Sequence, residues 1–141
     1  MILALLTASA VSTVPVPEAA YGNIAMTEAV DVAATELVTT ESAVRAYFHD
    51  APVMIEIARC ESTFRHELAD GSILQGKVDP ADTGVMQINK RYHSRSAAAM
   101  ELNLDVLEDN MAYARHLYET QGTRPWNASS PCWNKTLAAN Y

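Results

Sequence analysis

Cys60 and Cys132, the chain's two cysteines, constrain its fold more than any other pair of residues. In an oxidising compartment they close a loop of about seventy residues, which in the chain-entropy picture stabilises the fold by on the order of 4 kcal/mol. In a reducing compartment they remain two free buried thiols. If they pair, the tail "RPWNASSPCW" from Arg124 to Trp133 is an irregular segment that brings Cys132 back to the helix carrying Cys60. A chain of 141 residues holds one hydrophobic core, and 49% hydrophobic against 19% charged residues suffices to build it. The net charge of -7 excludes a partner read through its phosphate backbone, so no nucleic acid is expected. No C-x-x-C, zinc-ligand spacing, phosphate loop or G-x-S-x-G elbow occurs, so neither metal nor cofactor is expected. His49, His66, His93 and His116 stand singly and read as surface or helix-end residues.

Residues 1–20 are apolar, with the small-x-small trio Ala8-Ser9-Ala10, and fit either an export-signal remnant or a retained apolar tail. They are too short for a stable membrane span. Residues 21–40, rich in Thr, Val and Ala, read as a linker or stem, and residues 41–141 as the folded domain.

Helices begin near Thr40, with Val44, Tyr47 and Phe48 as a first apolar stripe. Asp50-Ala51-Pro52 predicts a restart, a carboxylate N-cap with proline in the first turn, and a helix to about Ser62. Val53, Ile57, Cys60 and Phe64 share its core face, while Glu56 and Arg59 point the other way. Glu61 falls at the apolar edge with no basic partner a turn before it, and partial desolvation there raises a carboxyl pKa.

Between 66 and 84 the helical period breaks. Asp70-Gly71 predicts a turn, Ile73, Leu74 and Val78 short strands, and Asp79 to Gly84 a loop, together a small hairpin or irregular lobe. Helices resume over about Ser94 to Leu102, and again from an Asp105 N-cap with Glu108 completing a capping box. Leu104, Leu107, Met111, Ala114 and Leu117 predict a buried helix ending at Gly122.

"CESTF", a loop, and then "DTGVMQINKRYH" resemble the Glu-Ser and Gly-Leu-Met-Gln-Ile signatures of the lysozyme-like superfamily, in particular the soluble lytic transglycosylase domains. The match spans roughly Thr40 to Trp133. It implies a mainly α (α+β) lysozyme-like fold, with a helical core, a small lobe and a glycan-binding cleft. It further implies cleavage of the β-1,4 bond between N-acetylmuramic acid and N-acetylglucosamine in peptidoglycan, with Glu61 as general acid and then base. By the same resemblance Ser62 helps position the site, and Gly84, Val85, Met86, Gln87, Ile88 and Asn89 line the opposite wall. Tyr92, Tyr113, Tyr118 and Trp126 are candidate groove aromatics, each with core packing as its alternative role, and Trp126 is the one expected to stack on sugar.

Chicken-type lysozymes carry an aspartate two residues before the matching glycine, as Asp82 stands before Gly84 here. Asp82 therefore either assists hydrolysis or turns the chain, since aspartate is a favoured turn former. The two activities differ in product: a lytic transglycosylase leaves a 1,6-anhydro end, and a lysozyme adds water. A catalytically silent glycan-binding module is a third reading. Glycan strands of peptidoglycan are the expected partner, the protein a monomer, and its location periplasmic, wall-associated or extracellular. The acidic charge favours remodelling of the owner's wall over attack on foreign ones.

Overall fold

The computed structural model describes residues 38–139. The segment expected as an export remnant (1–20) and nearly all of the expected linker (21–40) lie outside the described residues. Among the described residues the chain is mainly helical, with five α-helices, a 3-10 segment and one two-stranded sheet. None of those helices is long and apolar enough to cross a membrane.

Helix α1 (Thr40–Tyr47) starts where Thr39 Oγ1 accepts the Ser42 N–H at 3.1 Å. It delivers Val44 and, just beyond its end, Phe48 into the core, both fully buried. Helix α2 (Pro52–Ser62) has proline in its first turn, as the spacing predicts. Asp50, however, is not its cap. Ala51 holds that position without a side-chain bond, and Asp50 instead accepts two hydrogen bonds from the Arg115 guanidinium, at 2.7 and 3.2 Å. A two-pronged, charge-assisted pair outcompetes a single capping bond. That pair also holds the Asp50 carboxyl below the usual carboxylate range.

The buried face of α2 is rotated from the expected one. Met54, Ile57 and Ala58 are fully buried, while Val53, Cys60 and Phe64 are only partly so. The cause lies at the C-terminal end of the chain. Arg124–Ser129 forms a 3-10 segment and Ser130–Ala139 a helix, α5 by chain order, where the prolines and tryptophans predict irregular chain. Pro125 and Pro131 fall in first turns, where a missing N–H breaks no intrahelical bond. Helix α5 packs on α2 and is tied to it by the Cys60–Cys132 disulfide, so α2 is covered on a second side. Each large side chain withdrawn from water in this core, such as Phe48 or Ile57, contributes about 1.5–3 kcal/mol.

A small lobe follows α2. Glu67 bridges Ile73 and Gln75 bridges Thr83, and β1 (Asp82–Thr83) pairs antiparallel with β2 (Ile88–Asn89) in the register Asp82 to Asn89. The strand therefore falls inside the stretch expected to be a loop, while Val78, expected in a strand, is 99% exposed. Two buried polar side chains hold the lobe in place. Asn110 Nδ2 donates to the carbonyls of Thr83 and Leu104, and its Oδ1 accepts the Met86 N–H. His66, read from sequence as a surface residue, is buried; its Nδ1 accepts the Val85 N–H and its Nε2 donates to the Asp105 carbonyl.

Helix α3 (Lys90–Ala99) starts four residues before the predicted Ser94, because Asn89 Oδ1 accepts the Arg91 N–H and caps it. Helix α4 (Leu107–Gln121) buries Met111, Ala114 and Leu117 as expected and stops at Gly122. Its predicted capping box is not formed. The Asp105 carboxylate is taken by Lys90 at 2.6 Å and Thr83 at 3.1 Å, and Val106 occupies the N-cap position.

Candidate functional site

Glu61 sits in the last turn of α2, one residue after the disulfide-bonded Cys60. Two consecutive left-handed residues end this helix, Thr63 at φ 55° and Phe64 at φ 57°. Neither is glycine, and such conformations cost of order 1 kcal/mol or more each. Gln87, across from the helix end, has φ 50° as well, so two of the four non-glycine left-handed residues among those described, Thr63 and Gln87, border one region.

That region is concave. One depression of about 500 Å³ is lined by Glu61, Asp82, Gln87, Asn89, Tyr92, His93 and Arg124, among others. A second, of about 520 Å³, is lined by Glu61, Ser62, Arg65, Gln75, Lys77 and Asp82, among others. Glu61, Asp82, Gln87 and Ala128 line both, so the two meet at the carboxylates.

Burial raises the Glu61 carboxyl above its ordinary pKa; a hydrogen bond from Ser129 opposes this, and the nearby Asp82 carboxylate adds repulsion that raises it further. Ser129 Oγ donates to Glu61 Oε1 at 2.6 Å. No cation pairs with Glu61 among the described residues. Glu56, in the middle of the same helix, behaves oppositely. Burial pushes its carboxyl up, but hydrogen bonding and the charge of Arg59 bring it below its ordinary value.

Asp82 accepts a hydrogen bond from Asn89 Nδ2 at 2.8 Å, and the same amide donates to Asp79 at 2.9 Å. The Asn89 side chain is thus committed to α3 capping and to two carboxylates, while it lines the first depression. Gln87 donates one amide hydrogen to the Gly84 carbonyl at 2.9 Å. Its carbonyl oxygen and other amide hydrogen have no partner among the described residues, so it retains the capacity expected of a wall residue.

Gly84, Val85 and Met86 differ from expectation: they are buried and line neither depression. Their backbone groups are engaged too, the Val85 N–H with His66, the Met86 N–H with Asn110 and the Met86 carbonyl with Trp126 Nε1. At Gly84 (φ 71°) an added Cβ would come within 2.6 Å of Asn110 and 2.8 Å of His66. These three residues hold the wall from behind. Ser62 is buried with its hydroxyl donated to the Ala58 carbonyl, and it borders the second depression.

Trp126, expected to stack on sugar, is only 3% exposed and lends the first depression an edge rather than an open ring face. Tyr92, on the same depression, is 75% exposed. Burial lowers the His93 pKa, so this ring is neutral at pH 7, with Nδ1 3.0 Å from the Tyr113 hydroxyl. Ser129 is a site residue that the sequence patterns do not single out, whereas Tyr92 is one of the candidate groove aromatics and is found on the depression. The signal for Ser129 was its place three positions before Cys132, in a tail that a disulfide returns to Glu61. No protein-family model, curated protein or solved structure matches the chain.

Proposed function

We infer that this chain is a peptidoglycan-cleaving enzyme of lysozyme-like fold that works as a lytic transglycosylase. The observation that carries the reading is a carboxyl with a raised pKa and no cationic partner, lining two depressions that meet at it. A general acid for glycoside cleavage must hold its proton near neutral pH, and burial beside a second carboxylate is how a protein achieves that. The "CESTF" and "DTGVMQIN" signatures carry the family resemblance.

In this reading a glycan strand lies along the paired depressions as a cleft, with Gln87 bonding sugar substituents and Tyr92 offering a ring face. Neutral Glu61 gives its proton to the glycosidic oxygen as the bond to C1 of N-acetylmuramic acid breaks. The resulting carboxylate then takes the proton of the C6 hydroxyl while that oxygen bonds to C1, closing the 1,6-anhydro ring and returning Glu61 to its neutral form. No water enters the product. The disulfide suits an exported protein.

Asp82 supports a second reading, a lysozyme-type hydrolase, because it lines both depressions together with Glu61 and adds to its pKa. Mass spectrometry of muropeptides released from purified walls tests both at once. Products lighter by one water than their hydrolysed counterparts support transglycosylation, and hydrolysed products support the Asp82-assisted reaction. Wall binding with no released product at any pH would refute both and leave a glycan-binding module.

A further inference from the structure

Ser129 closes the 3-10 segment, and its hydroxyl stands between two acceptors, Glu61 Oε1 at 2.6 Å and the Trp126 carbonyl at 3.1 Å. One hydroxyl hydrogen serves one acceptor at a time. The Trp126 carbonyl also receives Trp133 Nε1 at 3.1 Å, and the contact to the carboxyl is the shorter of the two open to the hydroxyl, so the hydrogen is assigned to Glu61. Glu61 Oε2 has no hydrogen-bond partner among the described residues.

A neutral carboxyl has one protonated oxygen and one carbonyl oxygen, and a hydroxyl donor held against one of them makes that one the carbonyl. We propose that Ser129 is a positioning residue: by donating to Oε1 it fixes the carboxyl and keeps the proton of neutral Glu61 on Oε2, the oxygen left for the substrate. The same donor then steadies the carboxylate after the proton has gone, so acid and base steps share one geometry. Ser129 lines neither depression and acts through Glu61 alone. The link is braced covalently, because Cys60 precedes Glu61 directly and its partner Cys132 follows Ser129 by three positions. This role rests on the reading of Glu61 as the general acid.

The charged or titratable groups on the depressions and on the helix of the carboxyl are Asp82 from β1, Tyr92 and His93 from α3, Arg124 from the 3-10 segment, Arg65 and Lys77 from the lobe, and Glu56 and Arg59 on α2 itself. The test keeps all of them and changes only the hydroxyl. In Ser129→Ala the Glu61 titration midpoint, followed by carboxyl carbon NMR in the disulfide-intact protein, should rise, because the charged form loses a donor. Ser129→Thr should restore it. On purified walls Ser129→Ala should lower kcat about 10- to 100-fold with KM within about twofold, and move the alkaline limb of the rate profile upward. A residue that merely stitches the 3-10 segment to α2 would lower Tm and leave the Glu61 midpoint unmoved, and that result overturns the proposal. If the unmodified protein releases no muropeptides, the enzymatic reading fails, while the NMR titration still decides whether Ser129 governs the Glu61 proton.

Discussion

The middle and the end of helix α2 carry a buried and a partly buried glutamate, and the two are driven in opposite directions. Glu56 lies 2.9 Å from Arg59 and is held below its ordinary pKa. Glu61, five residues on, has a hydroxyl donor and a neighbouring carboxylate but no cation, and is held above it. Residue type and helix are the same, so the difference lies in what other elements bring up to each. At the covered middle of the helix, Thr136 from α5 and Arg59 one turn away both lower the Glu56 carboxyl against the effect of burial. The end of the helix faces an open depression, and the groups that set the Glu61 carboxyl among the described residues, Ser129 and Asp82, come from distant parts of the chain.

The most severe way to break this contrast is Glu61→Gln, which keeps the shape and removes the proton. Release of muropeptides should fall by about 10²- to 10⁴-fold, the usual worth of a general acid. A raised folded-state pKa means the native protein holds this proton more tightly than the unfolded chain, so ionising Glu61 costs stability as pH rises above the ordinary carboxyl value. The glutamine variant should therefore melt no lower than the parent at pH 7, and its advantage should shrink as the pH falls. Calorimetry across that range checks the sign.

Reducing the disulfide, or replacing both cysteines by serine, comes next. The closed span of 72 residues predicts a loss of about 4 kcal/mol in denaturant unfolding. In the molecules still folded, the end of α2 should loosen from Ser129. Asn110→Ala leaves the Met86 N–H and the carbonyls of Thr83 and Leu104 without their partner, and about 3 kcal/mol should be lost.

Asp82→Asn sharpens the contrast at smaller cost. It removes the repulsion, so the Glu61 pKa should fall, and carboxyl NMR reads this directly. Anhydro products that persist in this variant confine Asp82 to tuning; their disappearance would make it part of the reaction. Smallest is Arg59→Met, which should let the Glu56 pKa rise and make this residue more like Glu61. Because Arg59 is about one third exposed, its loss should cost less than about 1 kcal/mol. A depressed pKa stabilises above the unfolded value and is lost as pH falls, so that loss should appear at neutral pH and fade in acid.

Some of the site is legible in the sequence. The odd position of Glu61 on its helix is a local property, readable from a wheel, and so is the helix stop at Gly122. The wall segment was legible as a block but not residue by residue. Gly84, Val85 and Met86 were expected to face sugar, yet they are buried against His66, Asn110 and Trp126, partners 18 to 40 positions away in sequence. The caps show the same limit. Asp50 and Asp105 look like N-caps locally, and each is drawn off by a cation from another helix.

The sequence by itself determined the helices whose apolar period is strong, the unpaired acid at the end of one of them, and the two cysteines available to pair. Those are near-neighbour properties, set by spacing along a single element. Only the tertiary structure decided that the proline- and tryptophan-bearing tail becomes a 3-10 segment and helix α5, that Ser129 reaches Glu61, and that Asp82 stands beside it. Local patterns cannot carry those outcomes, because each depends on which surface a buried side chain finds to cover it, and that surface is assembled by residues far apart in the chain.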